Sequence, residues 1–106
     1  MVESLEPRDL AVRCARGETP LLLDVRESDE LDICALPGVV HIPLGELARR
    51  WQELDPTREL VCICHHGIRS ARAAAFLERA GFERVWNLAG GVERWAREVD
   101  PGMARY

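Results

Sequence analysis

The chain has 106 residues, a length typical of one domain, and 47% hydrophobic with 30% charged residues indicates a globular protein. Eighteen acidic against fourteen basic residues give a net charge of −4, which excludes a strongly basic nucleic-acid-binding protein. No apolar run reaches the ~18 residues of a membrane helix, and the N-terminus lacks a secretory pattern. We therefore expect one cytoplasmic, monomeric domain over residues 1–106 that binds neither nucleic acid nor membrane, with four reduced cysteines.

Short apolar runs alternate with helical patterns along the chain. This alternation predicts an α/β fold with a central parallel β-sheet and helices on both faces. On the first helix, Leu10, Val12 and Cys14 should face inward. In chain order, the sequence predicts a helix at 7–16, a strand at 21–25, a helical turn at 28–31, a strand at 39–42, a helix at 44–51, a strand at 59–63, a helix that Ser70 opens and Gly81 closes, a strand at 84–88 and a helix at 92–98.

Cys64 stands between the most apolar predicted strand and a helix, at the sheet edge where α/β proteins bind ligands. Gly67 allows a tight turn in which backbone N–H groups point into a small concavity. The positive end of the helix dipole then lies beneath the sulfur and favours the thiolate. The loop therefore suits an anion carried on Cys64, and Ser70 can cap the helix with its hydroxyl nearby.

The neighbouring cysteine and histidines need separate interpretations. Cys62 is interpreted as a buried structural side chain, because a cysteine on an apolar strand is usually a small hydrophobe. His65 and His66 are candidate anion ligands or thiolate stabilisers, and the alternative is that one of them only faces solvent.

Four motifs follow one another along the chain: residues 22–27 are LLDVRE, residues 36–44 are LPGVVHIPL, residues 62–70 are CICHHGIRS and residues 88–95 are LAGGVERW. In this order they resemble the motifs of the rhodanese family, the single-domain sulfurtransferases. The resemblance runs from about residue 5 to the end of the chain and implies the rhodanese-like fold.

The resemblance implies that Cys64 takes sulfane sulfur from thiosulfate or a persulfide and holds it as a persulfide. A thiophilic acceptor, such as a protein thiol, then removes the sulfur. Asp24 and Arg26 resemble a pair that shapes the pocket floor, and the alternative is a plain ion pair at a strand end. No cofactor or metal is expected. The expected substrate-binding residues are His65, His66, Gly67, Ile68, Arg69 and Ser70.

Two departures from the family pattern stand out. The family has Gly-His before its Ile-Pro-Gly segment, where residues 34–38 here are CALPG. Many relatives carry Arg or Lys beside the cysteine, at the positions of His65 and His66. Because histidine is only partly charged near neutral pH, we expect a persulfide to be a better donor than thiosulfate.

Three alternatives remain open. A phosphatase or arsenate reductase would use a Cys-x5-Arg loop, one residue longer than the loop from Cys64 to Arg69. A zinc site could use Cys62 with Cys64 and the two histidines, but strand residues alternate faces and no second cluster follows. The third alternative is a sulfur-relay or binding module that serves one partner protein and turns over little thiosulfate.

Overall fold

The sheet of this protein has five strands, and every pairing between them is parallel. The architecture comes from a computed structural model that describes residues 2–106. The strands are β1 (Glu3–Leu5), β2 (Leu21–Asp24), β3 (Val40–His41), β4 (Leu60–Ile63) and β5 (Val85–Leu88). Their spatial order is β1-β5-β4-β2-β3, which places β4 at the centre of the sheet.

Helices cover both faces of this sheet. They are α1 (Pro7–Ala15), α2 (Ser28–Ile33), α3 (Leu47–Arg50), α4 (Ile68–Arg79) and α5 (Gly91–Glu98), with 3-10 turns at Leu44–Glu46 and Trp51–Glu53. Within residues 2–106, no helix combines the length and the apolar character needed to cross a bilayer. The predicted α/β fold with a parallel sheet is confirmed.

Alternation along β4 creates two core clusters, one on each face of the sheet. Cys62 belongs to the cluster formed with α3 and α4, whereas Val61 and Ile63 belong to the cluster formed with α1 and α5. All four residues of β4 are buried, as expected for a central strand covered on both faces. The central strand therefore leads to the Cys64 loop from a fully buried part of the molecule.

Some predicted elements were wrong in detail. The prediction that Val12 faces inward is wrong, because this residue is 48% exposed while α1 packs through Leu10, which is fully buried. The helix predicted at 44–51 is instead a short α-helix between two 3-10 turns. The edge strand β1 was not predicted, because three residues with only Leu5 buried are too short to show a pattern.

The start of α4 also differs from the prediction, and this difference matters for the site. Gly67 is the N-cap residue, with a left-handed φ of 98°, and the helix begins at Ile68. Ser70 therefore lies inside the first turn and does not cap the helix. The helix α2 is also longer than the predicted turn. At its start, the Glu27 N–H donates to Glu30 Oε2 at 3.0 Å.

Candidate active site around Cys64

The carboxyl ends of β2, β4 and β5 meet at one edge of the sheet, where the site lies. There β4 continues into Cys64, β2 continues towards Arg26, and β5 leads to Gly91 at the start of α5. The N–H of Val25 donates to the carbonyl of Ile63 at 3.0 Å, so β2 and β4 stay paired up to this edge. The topology therefore brings three separate motifs of the sequence together.

The sulfur of Cys64 is enclosed, and the whole residue is only 1% exposed. The Gly67 N–H donates to Cys64 Sγ at 3.1 Å, and Ser70 Oγ lies 3.2 Å from the same sulfur. The Ser70 hydroxyl donates to Asn87 Oδ1 at 2.5 Å, while Asn87 Nδ2 donates to the Gly67 carbonyl at 2.9 Å. While the Ser70 hydroxyl donates to Asn87, its oxygen can accept a hydrogen bond from the Cys64 thiol. A rotation of this hydroxyl would let it donate to a Cys64 thiolate instead.

Asn87 is a site residue that the sequence analysis missed. It lies on β5, beside the strand that leads to Cys64, and it ties Ser70 to Gly67. A signal for it was present, because Asn87 is the one strongly polar side chain between Val85 and Leu88. A buried or half-buried amide in such a strand usually has specific partners.

The start of α5 holds the backbone of the loop. The N–H groups of Val92 and Glu93 donate to the carbonyls of Cys64 and His65, at 2.9 and 3.1 Å. A Cβ atom added at Gly91 would stand 2.4 Å from both carbonyl oxygens, so only glycine allows this close approach. Because a trans peptide places its N–H opposite its C=O, the N–H groups of His65 and His66 point away from α5.

Arg69 ends the loop in a two-pronged ion pair with Glu30. Its Nη1 and Nη2 atoms lie 2.7 and 2.8 Å from the Glu30 carboxylate oxygens. Arg69 holds the pKa of Glu30 at about 2, against an ordinary value of 4.5. The predicted substrate-binding residue Arg69 thus has its charge neutralised by α2, through a carboxylate that the sequence analysis did not assign.

Asp24 and Arg26 form a fully buried ion pair beside the loop. Arg26 Nη2 lies 2.7 Å from Asp24 Oδ2 and donates to the Cys34 carbonyl at 2.8 Å. Burial opposes the charge on Arg26, but the bonds to Asp24 and to the Tyr106 hydroxyl outweigh it and raise the pKa of Arg26. The predicted pairing of these two residues is present.

The two histidines of the loop occupy different environments. His66 is exposed, whereas the His65 ring stacks on Tyr106 with centroids 3.8 Å apart and lies 3.9 Å from the His66 ring. The Tyr106 and His66 rings are both too close to His65 to lie on the same face of its ring, so the His65 ring lies between them. Burial and the neighbouring His66 lower the pKa of His65, which leaves its imidazole neutral at pH 7.

Two further residues of the CICHHGIRS motif lie away from the sulfur's contacts. Ile68 is 70% exposed and stands on the outer surface of the loop. Cys62 is fully buried, and burial together with Cys64 raises the pKa of its thiol, so it stays a thiol at neutral pH. Among residues 2–106, no group of three or more His, Cys, Asp or Glu side chains is placed to hold a metal ion.

Comparisons with known proteins agree with this architecture. The Rhodanese-like domain family matches residues 6–98. A protein named "Sulfurtransferase" from Allochromatium vinosum is 35% identical over 104 residues, which are 98% of this chain and 97% of that protein. A rhodanese-related protein from Thermoplasma volcanium superposes with a TM-score of 0.84 at 32% identity, covering 92% of this chain and 93% of that one.

A third relative is longer than this chain. It is named "Putative sulfur carrier protein YrkF", comes from Bacillus subtilis, and is 43% identical over 79 residues. Those residues are 74% of this chain but only 43% of that protein. The similarity therefore concerns one part of YrkF.

Proposed function

Because the chain belongs to the rhodanese-like domain family, we propose that it is a sulfurtransferase in which Cys64 carries the sulfur as a persulfide. The observation that carries this proposal is the enclosure of Cys64 Sγ by the Gly67 N–H and the Ser70 hydroxyl at the start of α4. Both groups can donate to a negatively charged sulfur, and the helix dipole adds to this stabilisation. The relatives named as sulfurtransferases support the same reaction class.

Sulfur transfer proceeds by two displacements at sulfur, with no net oxidation or reduction. The Cys64 thiolate attacks the outer sulfur of a persulfide donor R–S–SH, and the donor's S–S bond breaks. The electron pair leaves with R–S⁻, which takes up a proton from water, while Cys64 becomes Cys64–S–SH. A thiolate acceptor then attacks the outer sulfur, becomes a persulfide itself and restores the Cys64 thiolate.

A persulfide suits this site better than thiosulfate does. Thiosulfate carries two negative charges, and its docking would need a free cation near the sulfur. The nearby guanidinium groups of Arg69 and Arg26 are each paired with a carboxylate, and His65 is neutral at pH 7. A persulfide carries at most one charge at its sulfur end and so avoids the cost of placing a compact, unpaired dianion in this pocket.

The acceptor we propose is a thiol. The second candidate function is a sulfur relay, in which the thiol belongs to one partner protein. The relative named as a sulfur carrier favours the relay. Both candidate functions need Cys64 as a reduced thiol, so we propose a reducing compartment such as the cytoplasm. Fast turnover with small thiols as acceptors would indicate a free-standing enzyme, and slow turnover that a protein acceptor accelerates would indicate a relay.

Intact-mass measurement tests the proposal directly. The protein is treated with glutathione persulfide or with thiosulfate, and then with a reductant. We expect the mass of one added sulfur, removable by the reductant, and absent in Cys64→Ser. The matched control Cys62→Ser should still gain the sulfur, because Cys62 is buried beneath the site. A sulfur that persists in Cys64→Ser and disappears in Cys62→Ser would contradict the assignment.

A further inference from the structure

Tyr106 lies far from the loop motif in sequence, yet its side chain is bound to three parts of the site. Its hydroxyl donates to Glu30 Oε1 at 2.9 Å and accepts from Arg26 Nη1 at 2.9 Å. Its ring stacks on His65 with an interplanar angle of 11°. In the hydrogen bonds and ring contacts of residues 2–106, no other side chain contacts α2, the buried Arg26 and the Cys64 loop together.

These contacts reach the Cys64 loop at both of its ends. At the first end, the Tyr106 ring fixes His65, the residue directly after the reactive cysteine. At the other end, the Tyr106 hydroxyl shares the Glu30 carboxylate with Arg69, so it helps to set where that carboxylate holds Arg69. Between these two ends lies Gly67, whose N–H donates to Cys64 Sγ.

The geometry of the hydroxyl indicates a specific role. It is placed between a buried guanidinium and a carboxylate, where it donates to one and accepts from the other. Hydrogen bonds that involve charged groups are about twice as strong as neutral ones and strongly directional. Tyr106 as a residue is 39% exposed, so its burial contributes little to the core. The contacts of Tyr106 thus bear mainly on the local geometry of the loop.

We propose that Tyr106 is a positioning residue of the sulfur-transfer site, which acts through His65 and Glu30 to hold the Cys64 loop in the shape that stabilises anionic sulfur. This inference rests on the proposed function. The loop amides stabilise the attacking thiolate and the bound persulfide only while they point at the sulfur. Loss of Tyr106 therefore slows the transfer step itself and leaves donor binding nearly unchanged.

Steady-state kinetics with glutathione persulfide as donor and a small thiol as acceptor measure this effect. Tyr106→Phe keeps the stacked ring and removes the hydroxyl, and we expect kcat to fall about threefold. Tyr106→Ala removes both contacts, and we expect kcat to fall about tenfold with KM within about twofold of wild type. The control Arg105→Ala changes the neighbouring tail residue, which pairs with Glu93, and should leave kcat unchanged.

A double-mutant cycle shows whether Tyr106 acts through Glu30. If it does, Tyr106→Phe should have a smaller effect on kcat in the Glu30→Gln background than in wild type. A kcat for Tyr106→Ala within twofold of wild type overturns the inference. Full additivity of the Tyr106→Phe and Glu30→Gln effects on kcat, together with a Tm loss that explains the lower activity, also overturns it. If wild type itself forms no persulfide on Cys64, the proposed function fails; if wild type is active and Tyr106→Ala matches it, only this inference fails.

Discussion

Cys62 and Cys64 lie two residues apart and belong to the same core cluster, yet we propose a chemical role for Cys64 alone. The difference comes from what surrounds each sulfur. Cys64 has the Gly67 N–H and the Ser70 hydroxyl within hydrogen-bond reach, whereas Cys62 is enclosed by the apolar core. Donors beside the sulfur favour the thiolate, which is the nucleophilic form of cysteine.

Asn87 is the residue whose replacement tests this local network. Asn87→Ala removes the acceptor of Ser70 and the donor to the Gly67 carbonyl, so we expect a loss of about 1–3 kcal/mol in the free energy of unfolding. We also expect sulfur transfer to slow about tenfold, because Ser70 and Gly67 lose their fixed orientation. Urea denaturation and the persulfide assay measure the two effects.

Ser70→Ala serves as the partner variant for Asn87→Ala. If Asn87 acts on the sulfur partly through Ser70, the effects on kcat will be less than additive in the double variant. Full additivity would show that the two side chains act independently, and unchanged kinetics in Asn87→Ala would contradict a role in the site.

The start of α5 is the element that sets the loop backbone. Gly91 has a φ of 61°, and an added Cβ would collide with two carbonyl oxygens of the loop. The Gly-Gly pair of LAGGVERW is visible in the sequence, but only the fold shows that this turn packs against the Cys64 loop. The motif therefore serves the site although none of its side chains contacts the sulfur.

Gly91→Ala should therefore be more harmful than an ordinary glycine substitution. Gly17 provides the matched control, since its φ is 74° and an added Cβ there would meet nothing within 4 Å. We expect Gly17→Ala to lose about 1 kcal/mol in the free energy of unfolding from backbone strain alone. Gly91→Ala should lose roughly 3 kcal/mol and most of the sulfur-transfer activity. Equal losses in the two variants would show that the close approach is unimportant.

At the scale of the whole molecule, the Glu30–Arg69 pair joins α2 to α4 across 39 residues of chain. The folded pKa of Glu30, about 2, lies below its ordinary value of 4.5, so the pair stabilises the protein above pH 4.5. This stabilisation is lost as the pH falls from 4.5 towards 2, because the unfolded chain then binds the proton more readily. Since Arg69 is partly exposed, we expect a contribution of about 1 kcal/mol.

Acid denaturation of Glu30→Gln checks this contribution. The variant should be less stable than wild type at pH 7, and the difference should shrink as the pH falls below 4.5. Glu53→Gln is the control, because Glu53 pairs with Arg50 on the surface and its loss should matter little at any pH. A difference between Glu30→Gln and wild type that stays constant from pH 7 to about pH 2 would contradict the assignment.

Most of the fold was predictable from the sequence, because the buried strands are apolar runs between helical patterns. Cys64 was predicted from its place between a strand and a helix, and Asp24 and Arg26 from the family resemblance. The structure brings all three to one edge of the sheet. Glu30 and Tyr106 were not, because their roles depend on contacts that join residues 39 and 80 positions apart. Ser70 was placed near the sulfur but given the wrong role in the helix, since Gly67 rather than a polar side chain is the N-cap residue of α4.

The burial of β4 on both faces has a consequence for the motions of the protein. Amide hydrogens of Leu60–Ile63 should exchange with solvent only when the whole domain opens, whereas those of the short edge strands should exchange through local fluctuations. Cys64, the proposed sulfur carrier, immediately follows this segment. Fraying at the sheet edges would therefore leave the base of the loop in place. A sulfur carried on Cys64, as we propose, would then stay shielded from water during these local fluctuations.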